Sequence, residues 1–102
     1  MPIYVLAHRP GPAWDPDLPY AEQPGVMGHI DFMRALDERG VLLAGGPFAQ
    51  ASADQPVGMA IVSAADLEDA SRMAVEDTSL AAGLLSLEVR EWRPRMGSWP
   101  VD

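Results

Sequence analysis

The chain has 102 residues, a formal net charge of −8 and no cysteine. This length suits a single domain over residues 1–102 with one hydrophobic core, and the negative charge disfavours nucleic acid and anionic membrane surfaces as partners. The missing cysteines exclude disulfides, thiol nucleophiles and thiolate metal sites. No apolar run approaches the roughly 20 residues of a membrane span, and no signal segment is visible. We therefore expect no membrane association and a cytoplasmic location.

The first predicted element is a strand from Ile3 to His8. It is apolar at both alternating positions up to His8, which is typical of a strand covered on both faces. His8 has the same parity as Tyr4 and Leu6, so it should lie on their face at the end of the strand. Five prolines make residues 9–25 a long loop. Because loops of this length are usually functional or disordered, and this one carries aromatic residues, we expect it beside a pocket as a lid or as an interface arm.

The next element is an amphipathic helix that begins near Gly25 and ends at Gly40. At about 100° per residue, its apolar arc consists of Val26, Ile30, Phe32, Met33 and Leu36. His29 lies near the middle of that arc, so its imidazole should point into the protein. Two interpretations are open: a core histidine bonded to a backbone carbonyl, and a catalytic base.

Two further strands are predicted, a buried one from Val41 to Phe48 and another from Gly58 to Val62. The first contains the sequence Gly45-Gly46-Pro47. Bare backbone at such a position is either a bulge or turn, or a pocket wall that a ligand approaches closely. The segment lacks the Lys-Ser/Thr ending and the glycine spacing of a phosphate-binding loop.

A second helix is expected to begin at residues 63–66, where Ser and Asp have the spacing of a capping box. Its predicted inward side chains are Leu67, Ala70, Ser71, Ala74 and Val75. The helix should end at residues 76–79, which places Asp77 in its last turn, where a carboxylate opposes the helix dipole. A fourth strand follows, with alternating apolar residues from Leu85 to Val89 and an end at Trp92.

The order strand, helix, strand, strand, helix, strand predicts a ferredoxin-like α+β fold. This fold is a four-stranded antiparallel sheet with two helices on one face. Such a short chain cannot cover the second sheet face, and an apolar open face favours self-association. We therefore expect a homodimer of the dimeric α+β barrel type, with the two sheets facing each other and the C-terminal tail, including Trp99, near the interface.

The sequence resembles the YCII-related (YciI-like) family of small dimeric α+β proteins over nearly its whole length. The resemblance rests on Gly-His-Ile-Asp-Phe-Met at residues 28–33, on Gly-Val-Leu-Leu-Ala-Gly-Gly-Pro-Phe at residues 40–48, on Asp77 with Gly83-Leu84 beyond it, and on Arg-Glu-Trp at residues 90–92. Similar members carry a histidine and an aspartate proposed as an active-site pair, which the resemblance assigns to His29 and Asp77. The usual Asp-Pro of the family is Asp77-Thr78 here.

A histidine and aspartate pair can act as a base. A carboxylate that accepts a hydrogen bond from one ring nitrogen fixes the tautomer and raises the basicity of the imidazole, while the other nitrogen faces the substrate. The sequence has no cysteine, metal-ligand cluster or dinucleotide motif. Proton abstraction followed by elimination or isomerisation is the reaction class that depends least on such groups. We expect no cofactor and no metal. The resemblance implies a ring-derived substrate, because the family includes enzymes of aromatic catabolism.

We expect the small-molecule ligand to lie against the ends of the first two strands, at His8, Arg9, Gly45, Gly46 and Pro47. Two alternatives stay open. A non-catalytic binding or accessory module would use the same pocket, with His29 as a hydrogen-bond partner. A haem or oxygen-using enzyme of the related dimeric barrel folds is less favoured, because only two histidines are present as nitrogen ligands.

Overall fold

The computed structural model describes residues 1–49 and 55–98. Its elements in chain order are β1 (Ile3–Pro10), a 3₁₀ turn (Tyr20–Glu22), α1 (Val26–Glu38), β2 (Leu42–Pro47), β3 (Gly58–Ser63), α2 (Leu67–Ala74), α3 (Thr78–Ala81) and β4 (Leu85–Trp92). The strands form one antiparallel sheet in the order β2-β3-β1-β4. This is the predicted ferredoxin-like α+β arrangement, with a third, short helix that the sequence pattern did not indicate.

The helices cover one face of the sheet. The main core consists of Tyr4, Leu6, Phe32, Leu36, Ala60, Val62, Ala64, Ala70, Met73 and Ala74. Along β1 the burial alternates, since Tyr4, Leu6 and His8 are buried whereas the residues between them are only partly buried. The expectation of a strand covered on both faces is therefore wrong for the single chain, because its helices pack on one side only.

Helix α1 agrees closely with its prediction. It starts after Gly25 (φ 90°) and is followed by Gly40 (φ 76°). Both glycines adopt the left-handed conformation, which other residues rarely adopt. Its buried residues include His29, Phe32 and Leu36. The helical phase therefore directs the His29 imidazole inward, as predicted.

Strand β2 differs from its prediction. It was expected to be buried, yet nearly all of it is exposed, including Leu43 at 44%. The reason is its position, because β2 lies at the edge of the sheet and pairs only with β3. Its register shift lies between Leu42 and Ala44. The irregularity therefore precedes the Gly45-Gly46 pair and does not explain it.

Helix α2 starts later than predicted. Its N-cap is Asp66, whose side chain accepts a 2.8 Å hydrogen bond from the backbone N–H of Asp69. Of the predicted inward residues, Leu67 and Val75 are wrong, since they are 53% and 64% exposed, whereas Met73 is buried. The helix has only eight residues, so Leu67 is its first residue and Val75 lies beyond its end at Ala74.

Asp77 does not lie in the last turn of α2. It is the N-cap residue of α3, and its Oδ1 accepts a 2.9 Å hydrogen bond from the backbone N–H of Ser79. The carboxylate therefore lies at the positive end of a helix dipole, where it is stabilised, rather than at the negative end. This geometry corrects the predicted position and fixes the orientation of the side chain.

Among residues 1–49 and 55–98, no helix is long and apolar enough to cross a membrane. Trp99, which was expected near a dimer interface, lies outside the described residues.

Candidate active site

His29 and Asp77 form a buried hydrogen bond between α1 and the N-terminus of α3. His29 Nδ1 lies 2.6 Å from Asp77 Oδ2, and the two residues are 7% and 1% exposed. Gly28 allows the two helices to approach, because a Cβ at that position would collide with Oγ1 of Thr78. The predicted hydrogen bond is thus present, and the partner of His29 is a side chain rather than the backbone carbonyl of the alternative interpretation.

The protonation of the pair follows from the surroundings of Asp77. Burial by itself raises the pKa of this carboxyl, but the hydrogen bonds from His29 and Ser79 outweigh it and hold the pKa below its usual range. An ionised carboxylate only accepts hydrogen bonds, so His29 Nδ1 is the donor. In the neutral imidazole the unprotonated nitrogen is then Nε2, which is the one available to a ligand.

A second imidazole, His8 of β1, lies beside this pair. Its ring centroid is 4.7 Å from that of His29, and its Nε2 is 3.8 Å from Asp77 Oδ2, which is too long for a hydrogen bond. Among the described residues, this nitrogen has no hydrogen-bond partner. Burial, followed by the neighbouring His29, lowers the pKa of His8 to about 4, although Asp77 acts in the opposite direction. His8 is therefore neutral at neutral pH.

His8 and His29 line a cavity of about 310 Å³. This volume is near the lower end of the roughly 300–1,000 Å³ of ligand pockets. The apolar wall consists of Ile30, Met33, Leu42, Val57, Met59 and Leu85. Arg34 and Asp37 line it as well and are exposed. Asp77 is not part of the lining, so its carboxylate acts on the cavity through His29.

Four of the five residues predicted to contact a ligand line this cavity: His8, Gly45, Gly46 and Pro47. Arg9 does not line it. Arg9 is exposed and alternates with His8 along β1, so its side chain points away from the helices. A Cβ at Gly45 would meet the end of the Met33 side chain, whereas one at Gly46 would meet no atom within 4 Å.

The proline-rich loop lies beside the cavity, as predicted. Tyr20 lines it, with its ring edge-on to His29 at a centroid distance of 6.3 Å. The loop is held by Gln23, whose buried side chain hydrogen-bonds to the backbone of Asp15 and Leu18. Burial, and secondarily the charge of Asp77, raises the pKa of Tyr20. Its hydroxyl is therefore a hydrogen-bond donor.

Several lining residues were not assigned to the site from the sequence. Met33 and Asp37 follow His29 at intervals of four residues, so helical spacing alone places them on its face. Val57 and Leu85 adjoin different strands, and no local pattern relates them to His29. The first two could have been found from the sequence, but the last two depend on the tertiary fold.

These observations define a small ferredoxin-like α+β protein with a buried His-Asp pair beside a ligand-sized cavity. Residues 4–93 match the model of the YCII-related domain, so the chain belongs to the YCII-related family. No curated protein matches it. Among solved structures, it is similar to the 5-chloro-2-hydroxyhydroquinone dehydrochlorinase TftG from Burkholderia phenoliruptrix AC1100, in complex with 2,5-dihydroxybenzoquinone. That likeness has a TM-score of 0.62 and 18% identity, and covers 89% of this chain and 93% of the other.

Proposed function

We propose that the protein is a small-molecule enzyme that uses His29 as a base and Asp77 to orient it. The observation that carries this proposal is the 2.6 Å hydrogen bond from His29 Nδ1 to Asp77 Oδ2, which leaves Nε2 for a substrate. The reaction is proton abstraction followed by elimination or isomerisation, without a cofactor. Asp77 is a positioning residue, because it acts through His29 and does not line the cavity.

The proposed step balances without a further reactant. Nε2 of His29 accepts a proton from an acidic O–H or C–H bond of the substrate, and the released electron pair forms a new double bond or expels a leaving group as an anion. The imidazolium that forms is stabilised by the Asp77 carboxylate at Nδ1. The proton then passes to the leaving group, to another atom of the product or to water.

We propose that the substrate is a compound with a single hydroxylated ring or a derivative of one. The cavity volume of about 310 Å³ and its largely apolar wall suit such a molecule. The Tyr20 hydroxyl and the neutral His8 supply polar contacts for ring oxygens. The similar fold of TftG, which acts on 5-chloro-2-hydroxyhydroquinone, supports the choice of this class by analogy.

The proposal is tested with 5-chloro-2-hydroxyhydroquinone and related hydroxylated rings, with and without a leaving group. Turnover is followed by absorbance and by release of chloride. We expect His29→Ala to lower turnover by at least about 100-fold and Glu38→Gln, a change at an exposed carboxylate of α1 that does not line the cavity, to retain it. Near-wild-type turnover in His29→Ala would contradict the proposal. Binding of 2,5-dihydroxybenzoquinone without turnover of any ring compound would favour the alternative of a binding or accessory module.

We also propose that the protein is a homodimer that pairs the sheet faces opposite the helices. On this face β1 presents Ile3, Val5 and Ala7, which are only partly buried in the single chain. Apolar residues that are incompletely covered on a sheet face favour a second copy as their cover. Light scattering should give the mass of a dimer at micromolar concentration, and a monomer at that concentration would contradict the proposal.

A further inference from the structure

Three side chains that carry metal-ligand atoms lie close together, and two of them, His8 and His29, also line the cavity. The ligand atoms of His8, His29 and Asp77 all lie within 4.8 Å of one another, and all three residues are buried. They are far apart in the sequence, so no motif with metal-ligand spacing is visible there. The structure supplies a cluster that the sequence did not indicate.

The second observation is the orphaned nitrogen of His8. Its Nε2 is buried, points toward Asp77 Oδ2 at 3.8 Å, and has no hydrogen-bond partner among the described residues. Leaving a buried polar atom unpaired costs free energy. Such an atom needs an explanation, and a bound water or an ion is among the usual ones.

We infer that His8 Nε2, His29 Nδ1 and Asp77 Oδ2 bind one divalent transition-metal ion of the Zn²⁺ type. Two imidazole nitrogens and one carboxylate oxygen form a ligand set that zinc uses, with a fourth position for water or another ligand.

Binding of such an ion requires the three ligand atoms, which lie within 4.8 Å of one another, to move to closer and more even distances. Zinc bonds of about 2.0–2.2 Å in tetrahedral geometry separate neighbouring ligand atoms by roughly 3.3 Å. The His8-to-Asp77 distance of 3.8 Å is slightly longer than this value, and the His29-to-Asp77 distance of 2.6 Å is slightly shorter. The N–H of Ser79 already holds the other oxygen of Asp77 at 2.9 Å, as outer hydrogen bonds do around metal ligands.

With a metal bound, His29 could not act as the base of the proposed reaction. A metal on His29 Nδ1 takes the place of the proton shared with Asp77, and that proton moves to Nε2. His29 then presents an N–H to the cavity and has no free base. The metal therefore competes with the base of the proposed function, but the inference does not depend on that function, because binding is measurable without a substrate.

The experiment is equilibrium dialysis of the chelator-treated full chain against micromolar ZnCl₂, with metal content measured by mass spectrometry. We expect about one zinc ion per chain in the wild type. We expect at least a tenfold weaker affinity in His8→Gln, which retains most of the side-chain volume. Glu38→Gln, a change at an exposed carboxylate outside the cavity, should bind as the wild type does. Excess Mg²⁺ should not compete, because it prefers oxygen ligands.

A second measurement covers the case in which His8→Gln is unstable. Co²⁺ bound to the wild type should give the visible absorption of a tetrahedral nitrogen and oxygen site, and adding Zn²⁺ should remove it. Equal zinc binding by the wild type and His8→Gln would overturn the inference. So would the absence of zinc binding in the wild type.

Discussion

The face of the sheet beneath the helices has two halves that the same elements build differently. In one half, Tyr4 and Leu6 of β1 pack against Phe32 and Leu36 of α1 in a closed apolar core. In the other half, the next residue of the same parity in β1 is His8, which meets His29 and Asp77 beside an open cavity. The two halves therefore share the alternation of β1 and the helical phase of α1. They differ in whether the inward side chains are apolar or polar.

This difference separates stability from chemistry. Burial of apolar groups in the first half favours folding. Buried polar groups in the second half cost free energy unless they are paired, and His8 Nε2 has no partner among the described residues. Changes in the apolar half should reduce stability, and changes in the polar half should mainly reduce activity.

The largest expected effect is that of His29→Ala on turnover. Loss of the base should lower kcat/KM by about 10²–10⁴-fold, because the variant lacks the imidazole that Asp77 orients through a hydrogen bond of 2.6 Å. Steady-state kinetics with a hydroxylated ring compound that the protein turns over measures the effect. Circular dichroism serves as the control for folding. A near-normal kcat/KM in this variant would contradict the claim that the polar half is responsible for activity.

Leu36→Ala should break the apolar half. Leu36 is fully buried, and truncation of such a side chain costs about 2–5 kcal/mol in the free energy of unfolding. Leu36 does not line the cavity, so kcat/KM of the folded protein should change little. Urea unfolding provides the measurement. A loss of stability no larger than that of His29→Ala would contradict the assignment of the core to this half.

The fold was predictable where one element carries a long periodic pattern. The thirteen residues of α1 give a clear helical phase, which points His29 inward, and strand parity aligns His8 with Tyr4 and Leu6. The four-residue helix α3 is too short for such a pattern. The position of Asp77 at its N-cap was therefore missed.

The candidate site was predictable only in part. Asp77 was matched to His29 through the family resemblance, because no residue spacing relates two groups 48 positions apart. The exposure of β2 depends on its place at the sheet edge, which is a tertiary property. The contact between His8 and the pair is tertiary as well, since it arises where β1, α1 and α3 converge.

Acidification should weaken the fold through the polar half. The pKa of His8 is about 4 in the folded chain, compared with an ordinary value of 6.5 that applies to the unfolded chain. Between these two values the unfolded chain binds more protons than the folded chain. The free energy of unfolding therefore falls as the pH decreases from about 6.5 to 4. The shift corresponds to about 3 kcal/mol. The pKa of Asp77 is also lowered, and its contribution is lost in the same direction, as pH falls through its folded value.

Urea unfolding at pH 7 and pH 4.5 measures this dependence. In His8→Gln the decline should be shallower, because the buried imidazole no longer titrates. An unchanged pH dependence in this variant would show that burial of His8 does not set the acid sensitivity.

The smallest effect is expected at the cavity wall. Gly45→Ala introduces a Cβ beside Met33 and should cost about 1 kcal/mol in ligand affinity or stability. Gly46→Ala is the matched control, because its Cβ meets no atom within 4 Å. Calorimetric titration with 2,5-dihydroxybenzoquinone compares the two variants. Equal effects would argue against the contact that distinguishes the two glycines.

The most direct test of the central claim is ¹⁵N NMR of the two histidine rings at neutral pH. The account predicts that His29 carries its proton on Nδ1, hydrogen-bonded to Asp77, and that a bound ligand perturbs Nε2. In Asp77→Asn the hydrogen-bonded Nδ1–H signal should be lost or strongly shifted. A wild-type His29 that carries its proton on Nε2, with a spectrum unchanged in Asp77→Asn, would contradict the proposed base.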